Sequence, residues 1–522
     1  MVDYSQLVLQ MQQPDFYPHA VVGKIEWIQT HASYVFLTGE YAYKIKKNVD
    51  FGFLNYSTLE KRKHFLETEL KLNQKIAPEL YLDVVSIGSQ GDRFIFNSSD
   101  NIIEYALKMR QFPQENLFSN LLKADKLSFE NLIKLGKVVA KFHADAKTNE
   151  YISSFGTVDK INAALIENYQ QSQKYIGIVQ TKEQFAATKA YTDTFLDRQK
   201  DLFQTRCDRH KIKECHGDLH LKNICLWHDK ILLFDRIEFN ESFRFVDTMY
   251  DVAFVVMDLE AKGKSEFANA FVNSYLEYSG DWEGLLILPL YLTRQAYVRA
   301  KVNSFLLDDA QISEAEKKEA KESASNYYRQ ADRYTQNKSG SLIIMSGLSG
   351  SGKSTVAKSI ARSKGAIVIR SDAVRKHLAG IALDATGTDS IYTPEMTQKT
   401  YDRLLELGVM LARKGYTVIL DAKYDRLSLR QPAITQAKQN NIPLTIVYCT
   451  APESILRERL NQRQNDISDA GADLIESQKA NAEDFTTAEQ TYVITIDTSL
   501  ADWQEQIANT IQVELSPNFR LP

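Results

Sequence analysis

Leu342-Ile-Ile-Met-Ser346-Gly347-Leu-Ser-Gly-Ser-Gly352-Lys353-Ser354-Thr355 joins an apolar run of strand length to a glycine loop that fits GxxxxGK[ST]. Val356 and Ile360 follow one helical turn apart, so the stretch reads as strand, loop, helix. That order has a chemical reason. Glycines let a loop close around phosphate with its backbone N–H groups pointing inward, and a helix N-terminus adds positive potential. Gly347, Ser349, Gly350, Ser351, Gly352 and Thr355 are therefore the expected phosphate cradle. Lys353 is placed to reach the β- and γ-phosphates of ATP, and Ser354 to ligate Mg²⁺. The bland alternative is a glycine-rich turn with an exposed lysine.

Outward from this loop, apolar strands and helical stretches alternate. The expected strands are 342–346, 366–370, 417–420, 444–449 and 492–496, the pattern of a doubly wound parallel sheet. The second strand runs into Arg370-Ser371-Asp372-Ala-Val-Arg375, at the carboxyl edge where such sheets bind ligands. There Asp372 suits a general base and Arg375 a contact to a substrate anion. A helix-capping aspartate with a surface arginine is the alternative. Asp421 ends the third strand and suits the Mg²⁺ shell, or is a turn residue. Arg457, Arg459 and Arg463 fall on a helical segment after the fourth strand. Arg459 and Arg463 share a face, as arginines closing over phosphates do, or as a solvated basic face does.

These motifs make residues 341–522 resemble the small P-loop kinases that include polynucleotide 5′-kinase, gluconate kinase and zeta-toxin-like sugar-nucleotide kinases. The resemblance implies an α/β P-loop NTPase domain with a doubly wound parallel sheet. It matches Asp372 and Arg375 to the base and substrate arginine of the polynucleotide-kinase and zeta-like branch, and Arg459 and Arg463 to its lid arginines. Nothing in residues 380–400 identifies the acceptor.

A second constellation lies upstream. His216-Gly-Asp218-Leu-His-Leu-Lys-Asn223 gives HxDxxxxN, and the strand Lys230-Ile-Leu-Leu-Phe234 delivers Asp235. Asp218 on a loop can accept a hydroxyl proton, while Asn223 and Asp235 can hold Mg²⁺ on ATP phosphates. His216 reads as an orienting loop residue, and His220 has no assigned role. A hydrogen-bonded loop with turn aspartates is the alternative. Farther upstream, Tyr34 to Lys47 reads as a β-hairpin turning at Thr38-Gly39-Glu40. Alternation puts Lys44 and Lys46 on one face, making Lys44, with Lys46 next, the candidate phosphate lysine. Ser57-Thr58-Leu59-Glu60 is a capping-box pattern opening a helix to about Lys75, with Leu59, Leu66 and Leu70 on one face. Glu69 on that helix, favoured over Glu67, is the expected ion-pair partner.

Residues 20–335 resemble the aminoglycoside phosphotransferase and choline-kinase-like superfamily. That likeness implies an α+β protein-kinase-like bilobal domain, with Asp218 as catalytic aspartate and Asn223 and Asp235 as metal ligands. It puts the adenine-binding hinge at Glu104-Tyr-Ala-Leu-Lys-Met109. The family's GxGxxG loop is missing, and Thr30-His31-Ala-Ser33 stands where the phosphate cover belongs. The whole chain is similar to bacterial two-domain proteins described as aminoglycoside-phosphotransferase-like kinases fused to a predicted P-loop kinase. The resulting domains are 1–335 and 341–522, separated by the polar seam Tyr334 to Ser341.

Composition fits this reading. Among 522 residues, 44% are hydrophobic and 25% charged, and Gly 22 with Pro 11 is too few for a linker-rich or collagen-like chain. Residues 341–522 carry 20 basic and 21 acidic groups, and the whole chain has net charge −4. That balance argues against broad nucleic-acid binding and leaves a local basic groove open. Four cysteines without a CxxC pair give no disulfide framework, and no signal peptide or 20-residue apolar run is seen, so a soluble cytoplasmic protein is expected. The function expected is a bifunctional ATP/Mg²⁺-dependent phosphotransferase acting on small-molecule hydroxyls, with an anionic acceptor at the C-terminal site. The alternative is one catalytic P-loop kinase, for a small molecule or a nucleic-acid 5′-end, with the N-terminal domain regulatory or nucleotide-sensing.

Overall fold

Six antiparallel strands form the first sheet: β1 (Glu26–Gln29), β2 (Ser33–Leu37), β3 (Tyr41–Lys46), β4 (Tyr81–Gln90), β5 (Arg93–Phe96) and β6 (Ile102–Arg110), in the order β1-β2-β3-β6-β4-β5. The β2–β3 hairpin turns at the expected residues, pairing Leu37 with Ala42. Alternation along β3 sends Tyr43 and Ile45 into a core with Phe36, Val85, Ile87 and Ala106. Lys44 and Lys46 are left on the opposite face, beside helix Leu59–Asn73. Two short ribbons follow, β7 (Ile212–Glu214) with β10 (Phe245–Asp247), and β8 (Ile224–Trp227) with β9 (Lys230–Leu233).

The computed structural model describes residues 4–309, 312–385, 387, 389–462, 467 and 471–507. Two compact units emerge, one of residues 1–128, 145–161 and 200–255, the other of 129–144, 162–199 and 256–522. The antiparallel sheet and both ribbons belong to the first unit.

The second unit contains a five-stranded parallel sheet: β11 (Ser341–Ser346), β12 (Ile367–Arg370), β13 (Thr417–Asp421), β14 (Leu444–Thr450) and β15 (Val493–Asp497), ordered β12-β13-β11-β14-β15. Every residue of β11 and β13 is buried, as expected of central strands covered by helices on both faces. Val356 and Ile360 of helix Lys353–Lys364 pack on that sheet with Ile343, Met345, Ile419 and Val447. This is an α/β P-loop domain. In the same unit, helix Ser265–Ser279 lies along β12. Asn269 and Asn273 donate their side-chain amides to Ala366 O at 2.9 and 3.0 Å, and Val368 N donates to Asn273 Oδ1 at 2.7 Å. Among the described residues no helix is long and apolar enough to cross a membrane. All four cysteines are free thiols.

Three local expectations are corrected. The helix after the hairpin is capped by Thr58, whose Oγ1 accepts from Lys61 N, while Ser57 is held by Asn55. Of the expected face, Leu66 is buried and Leu70 packs against the same core, whereas Leu59 stays half-exposed; Arg62, Glu69, Leu72 and Asn73 are buried as well, because this helix also builds a polar site. Glu104–Met109 is no hinge. It lies within β6, where Glu104 is buried and paired with Arg62 at 2.8 Å and with the Tyr4 hydroxyl, and non-strand chain begins only at Gln111.

Candidate functional site

In the first unit, β3, helix Leu59–Asn73 and the turn after β9 converge on a buried ionic cluster. Lys44 Nζ lies 2.8 Å from Glu69 Oε1 and 2.7 Å from Asp235 Oδ1. Lys46 Nζ takes the other Glu69 oxygen at 2.9 Å and also holds Glu238, which accepts from the Tyr56 hydroxyl. Glu69 is fully buried, whereas Glu67 is exposed and pairs loosely with Lys63. The structure thus brings Lys44, Glu69 and Asp235 together, and separates the two lysines: Lys44 reaches Asp235, and Lys46 is sealed behind it.

Asp235 has φ +62°, and its N–H donates to the Tyr81 hydroxyl at 2.9 Å. A non-glycine residue in that conformation costs energy, and the hydrogen bond helps hold it. Burial pushes its carboxyl up, but Lys44, with Lys46 behind it, holds it below the usual carboxylate range.

The HxDxxxxN loop is braced from beneath. His216 Nδ1 accepts from Asp218 N at 3.3 Å, so Nε2 carries the proton toward Phe234 O at 2.8 Å. Burial pushes the imidazole pKa down, which keeps it neutral. His216 is therefore an orienting residue, as its position suggested. Asn223 Nδ2 donates to Asp218 O at 2.9 Å, and His220 Nε2 lies 3.4 Å from Asp218 Oδ2. Asp218 itself is partly exposed, on the same loop as Asn223. Sequence reasoning missed Asp251, whose two carboxylate oxygens accept from His216 N at 2.7 Å and Gly217 N at 2.9 Å. Its signal was one charge inside the apolar run Met249 to Met257. Tyr56 and Glu238, which hold Lys46, form a second missed layer. Thr30 to Ser33 is the tight β1–β2 turn, closed by Ser33 N donating to Thr30 Oγ1 at 2.9 Å.

In the second unit the glycine loop joins β11 to its helix. Gly347, Gly350 and Gly352 have φ of +128°, +80° and +85°. A Cβ on Gly347 would stand 2.3 Å from Cys449 O, so only glycine fits. Lys353 Nζ donates to Gly347 O at 2.8 Å and Leu348 O at 2.7 Å, folding over the loop's own carbonyls. Burial pushes its pKa down against the pull of Asp421. Ser349 is bonded through both N and Oγ to Gln478, and Ser351 N donates to Leu348 O at 3.1 Å. The Ser351 hydroxyl is buried without a hydrogen bond.

The loop opens on a cavity of about 790 Å³ lined by Ser349, Gly350, Gly352, Lys353, Ser354 and Thr355 with Asp372, Arg375, Asp421 and Arg459. Seven cations line it (Lys353, Lys358, Arg370, Arg375, Lys423, Arg426, Arg459) against three carboxylates (Asp372, Asp421, Asp425), a balance that attracts polyanions. Asp372 is not in the strand. The helix begins at Ser371 directly after β12 and puts Asp372 in its first turn. Asp421 is buried at the end of β13, 3.8 Å from Arg370 Nε. Arg459 lines the cavity but is bonded to Gly350 O at 3.3 Å, Thr498 Oγ1 at 2.8 Å and Thr498 O at 2.8 Å, which clips the glycine loop to the chain after β15. Arg457 faces away, toward Glu453 and Glu476. Arg463 lies outside the described residues. Oxygen donors alone, Ser354 and Asp421 here, Asn223 and Asp235 in the first unit, make both sets compatible with Mg²⁺.

A family model described as AAA domain matches residues 342–485. An uncharacterized protein of Mycobacterium tuberculosis (strain ATCC 25618 / H37Rv) is 27% identical over 463 residues, spanning 88% of this chain and 90% of its own length. Among solved structures, the chain is similar to a gluconokinase from Sinorhizobium meliloti 1021, 23% identical over 33% of this chain and 94% of that one, with a TM-score of 0.24. It is also similar to a choline/ethanolamine kinase family protein from Mesorhizobium loti, 9% identical over 63% of this chain and 99% of that one, with a TM-score of 0.38.

Proposed function

We propose that this chain is a phosphotransferase with two ATP- and Mg²⁺-dependent sites of unrelated fold, each acting on a small-molecule hydroxyl. The division near residues 335–341 separates the two catalytic segments. The observation that carries the reading is the glycine loop at a helix N-terminus, with Lys353 folded over it and lining a cation-rich cavity. Such a site suits a polyphosphate.

At the C-terminal site, the glycine-loop amides and Lys353 bind the nucleotide's phosphates. Ser354 and Asp421 would hold Mg²⁺, which neutralises phosphate charge when bound. Asp372 takes the acceptor hydroxyl's proton as the new P–O bond forms and the bond to the leaving ADP oxygen breaks. Arg375 holds the acceptor's anionic group. At the N-terminal site, Lys44 steadied by Glu69 binds phosphate, Asn223 and Asp235 would hold the metal, and Asp218 is the base. That gluconokinase and choline/ethanolamine kinase family structures resemble the two parts agrees with small-molecule acceptors.

One contact favours a second reading. Lys44 binds Asp235 directly at 2.7 Å, so the phosphate lysine sits on a metal ligand. A regulatory or nucleotide-sensing N-terminal site would be latched in this way.

The deciding experiment is a metabolite-extract screen with γ-labelled ATP on the full chain, using wild type, Asp218→Asn and Lys353→Ala. Two products, one lost in each variant, are expected. Products lost only in Lys353→Ala would establish the second reading, and identical labelling in all three proteins would refute the assignment of both sites.

A further inference from the structure

A carboxylate from upstream of the polar seam reaches an arginine in the wall of the C-terminal cavity. This inference rests on reading that cavity as a phosphotransferase site with Asp421 as a Mg²⁺ ligand. Arg370 lines the cavity and closes β12, Asp421 closes β13, and the two are register partners across the parallel pair. Arg370 Nε stands 3.8 Å from Asp421 Oδ2, an ion contact too long for a hydrogen bond. Arg370 Nη1 also stands 3.5 Å from Glu277 Oε1. Glu277 lies on helix Ser265–Ser279, 93 residues before Arg370 in sequence. Among the described residues, Arg370 is the one cation within ion-pair reach of the Glu277 carboxylate. Asp421 is buried and the other two side chains are at most 22% exposed, so water screens these charges only in part.

The helix is fixed on both sides of Glu277. Asn273, one turn earlier, donates to Ala366 O and accepts from Val368 N of β12. The Glu277 carbonyl accepts from His377 Nε2 at 2.8 Å, on helix Ser371–Ala379. The next residue, Tyr278, donates its hydroxyl to Asp384 Oδ1 at 3.1 Å. These bonds tie the helix to β12, to the helix after β12 and to the chain beyond it. Glu277 therefore approaches Arg370 from a base that belongs to the same packed unit, as groups that orient metal ligands do.

An arginine shared between two carboxylates commits its full charge to neither. Mg²⁺ and a guanidinium compete for a carboxylate, because both draw on the same oxygens and the same negative charge. With Glu277 neutral, Arg370 would turn its charge on Asp421 and hold it as an ion pair against the metal. We propose that Glu277 is a positioning residue for the C-terminal site: by drawing Arg370 toward itself, it leaves Asp421 free to take up the Mg²⁺ that accompanies the nucleotide. The metal ligand is thus tuned from a helix that precedes the seam in sequence.

The test is calorimetry on the full chain with a non-hydrolysable ATP analogue, titrated with and without Mg²⁺. The C-terminal site's signal is the part that Lys353→Ala abolishes, and its Mg²⁺ effect is the ratio of the two affinities. Glu277→Gln should reduce that ratio roughly three- to ten-fold, less than the about 10–100-fold typical of groups that touch a metal ligand directly. Affinity without Mg²⁺ should stay as in wild type or tighten, because a negative charge near the phosphates has gone. Glu277→Asp keeps the charge and should retain more of the ratio than Glu277→Gln. Arg370→Met removes the competitor, so alone or with Glu277→Gln it should return the ratio to the wild-type value or above. Thermal midpoints identify variants that fold, and Arg370→Met alone decides the matter if Glu277→Gln does not. An unchanged ratio in Glu277→Gln, equal losses with and without Mg²⁺, a loss that Arg370→Met leaves in place, or a lower ratio in Arg370→Met alone would overturn the proposal. No signal that Lys353→Ala abolishes, or no Mg²⁺ effect in wild type, would instead overturn the phosphotransferase reading beneath it.

Discussion

Replacing Lys46 with methionine should damage folding, and replacing Lys44 should damage nucleotide binding. Lys46 is 1% exposed and neutralises two carboxylates, Glu69 and Glu238, that are 0% and 5% exposed. Removing one partner of a buried ion pair costs about 3–5 kcal/mol, because the remaining charge stays buried. For a unit of roughly 200 residues, about 2–4 °C per kcal/mol makes this a fall of roughly 6–20 °C in Tm. Lys44 is different. After Lys44→Met, Glu69 keeps Lys46, and Asp235 is 44% exposed, so solvent takes up much of the freed charge. The expected loss is about 1 kcal/mol or less. What Lys44→Met should remove is a charge-assisted contact to phosphate, about 1.5–3 kcal/mol or roughly 10–150-fold in affinity. Differential scanning fluorimetry and titration with a non-hydrolysable ATP analogue, on the full chain, measure the two quantities. Adding Glu238→Gln to Lys46→Met should restore much of the lost stability by removing the orphaned charge. The reasoning is refuted if Lys46→Met melts like wild type and loses nucleotide binding while Lys44→Met binds normally.

Gly347→Ala would press a Cβ to 2.3 Å from Cys449 O at φ +128°, so calorimetry should find nucleotide binding at the C-terminal loop lost. Arg459→Lys breaks the fork between Gly350 O and Thr498. At about 1 kcal/mol per hydrogen bond it should weaken nucleotide binding roughly 5–10-fold. A fall in kcat with unchanged Kd would show instead that Arg459 acts on the transferring phosphoryl group. Burial brings the Lys301 pKa down to about 8, while Asn168 and Gln171 offer it only neutral oxygens. Between about pH 8 and the ordinary lysine range the unfolded chain binds more protons, so stability should rise with pH there. Lys301→Met should flatten that rise in Tm measured from pH 7.5 to 10, and a wild-type Tm that does not climb relative to the variant would contradict it.

Both motif spacings were legible because each lies within one strand–loop unit. The GxxxxGK[ST] loop and its flanking strand and helix are a local arrangement, and the five parallel strands carry continuous apolar runs. HxDxxxxN with Asp235 spans only a loop and one ribbon. The face of β3 that carries Lys44 was readable from period-two alternation. What sequence could not show is long-range bracing. Asp251 reaches back 35 residues to His216, Glu238 reaches 192 residues back to Lys46, and Gln478 reaches 129 back to Ser349. Arg459 misled for a related reason. Helical spacing told which side of the helix it occupies, but its hydrogen-bond partners come from the glycine loop and from Thr498, which no periodicity brings near. The resemblance put a hinge at Glu104–Met109, whereas those residues lie in β6, and the burial of Glu104 rests on Arg62 and Tyr4, 42 and 100 residues away in sequence.

Helix Ser265–Ser279 lies by sequence upstream of the seam, yet Asn269 and Asn273 serve β12 as a neighbouring strand would, filling hydrogen bonds that an outermost strand otherwise offers to anything passing. The polar seam at 335–341 is therefore a junction in the chain but not in the bonding. A fragment beginning there would carry a bare rim ready to pair with its own copies, so a gene cut at the seam should yield aggregates. For the same reason the P-loop segment is not an interchangeable cassette: its edge strand is covered by a helix that lies upstream of the seam.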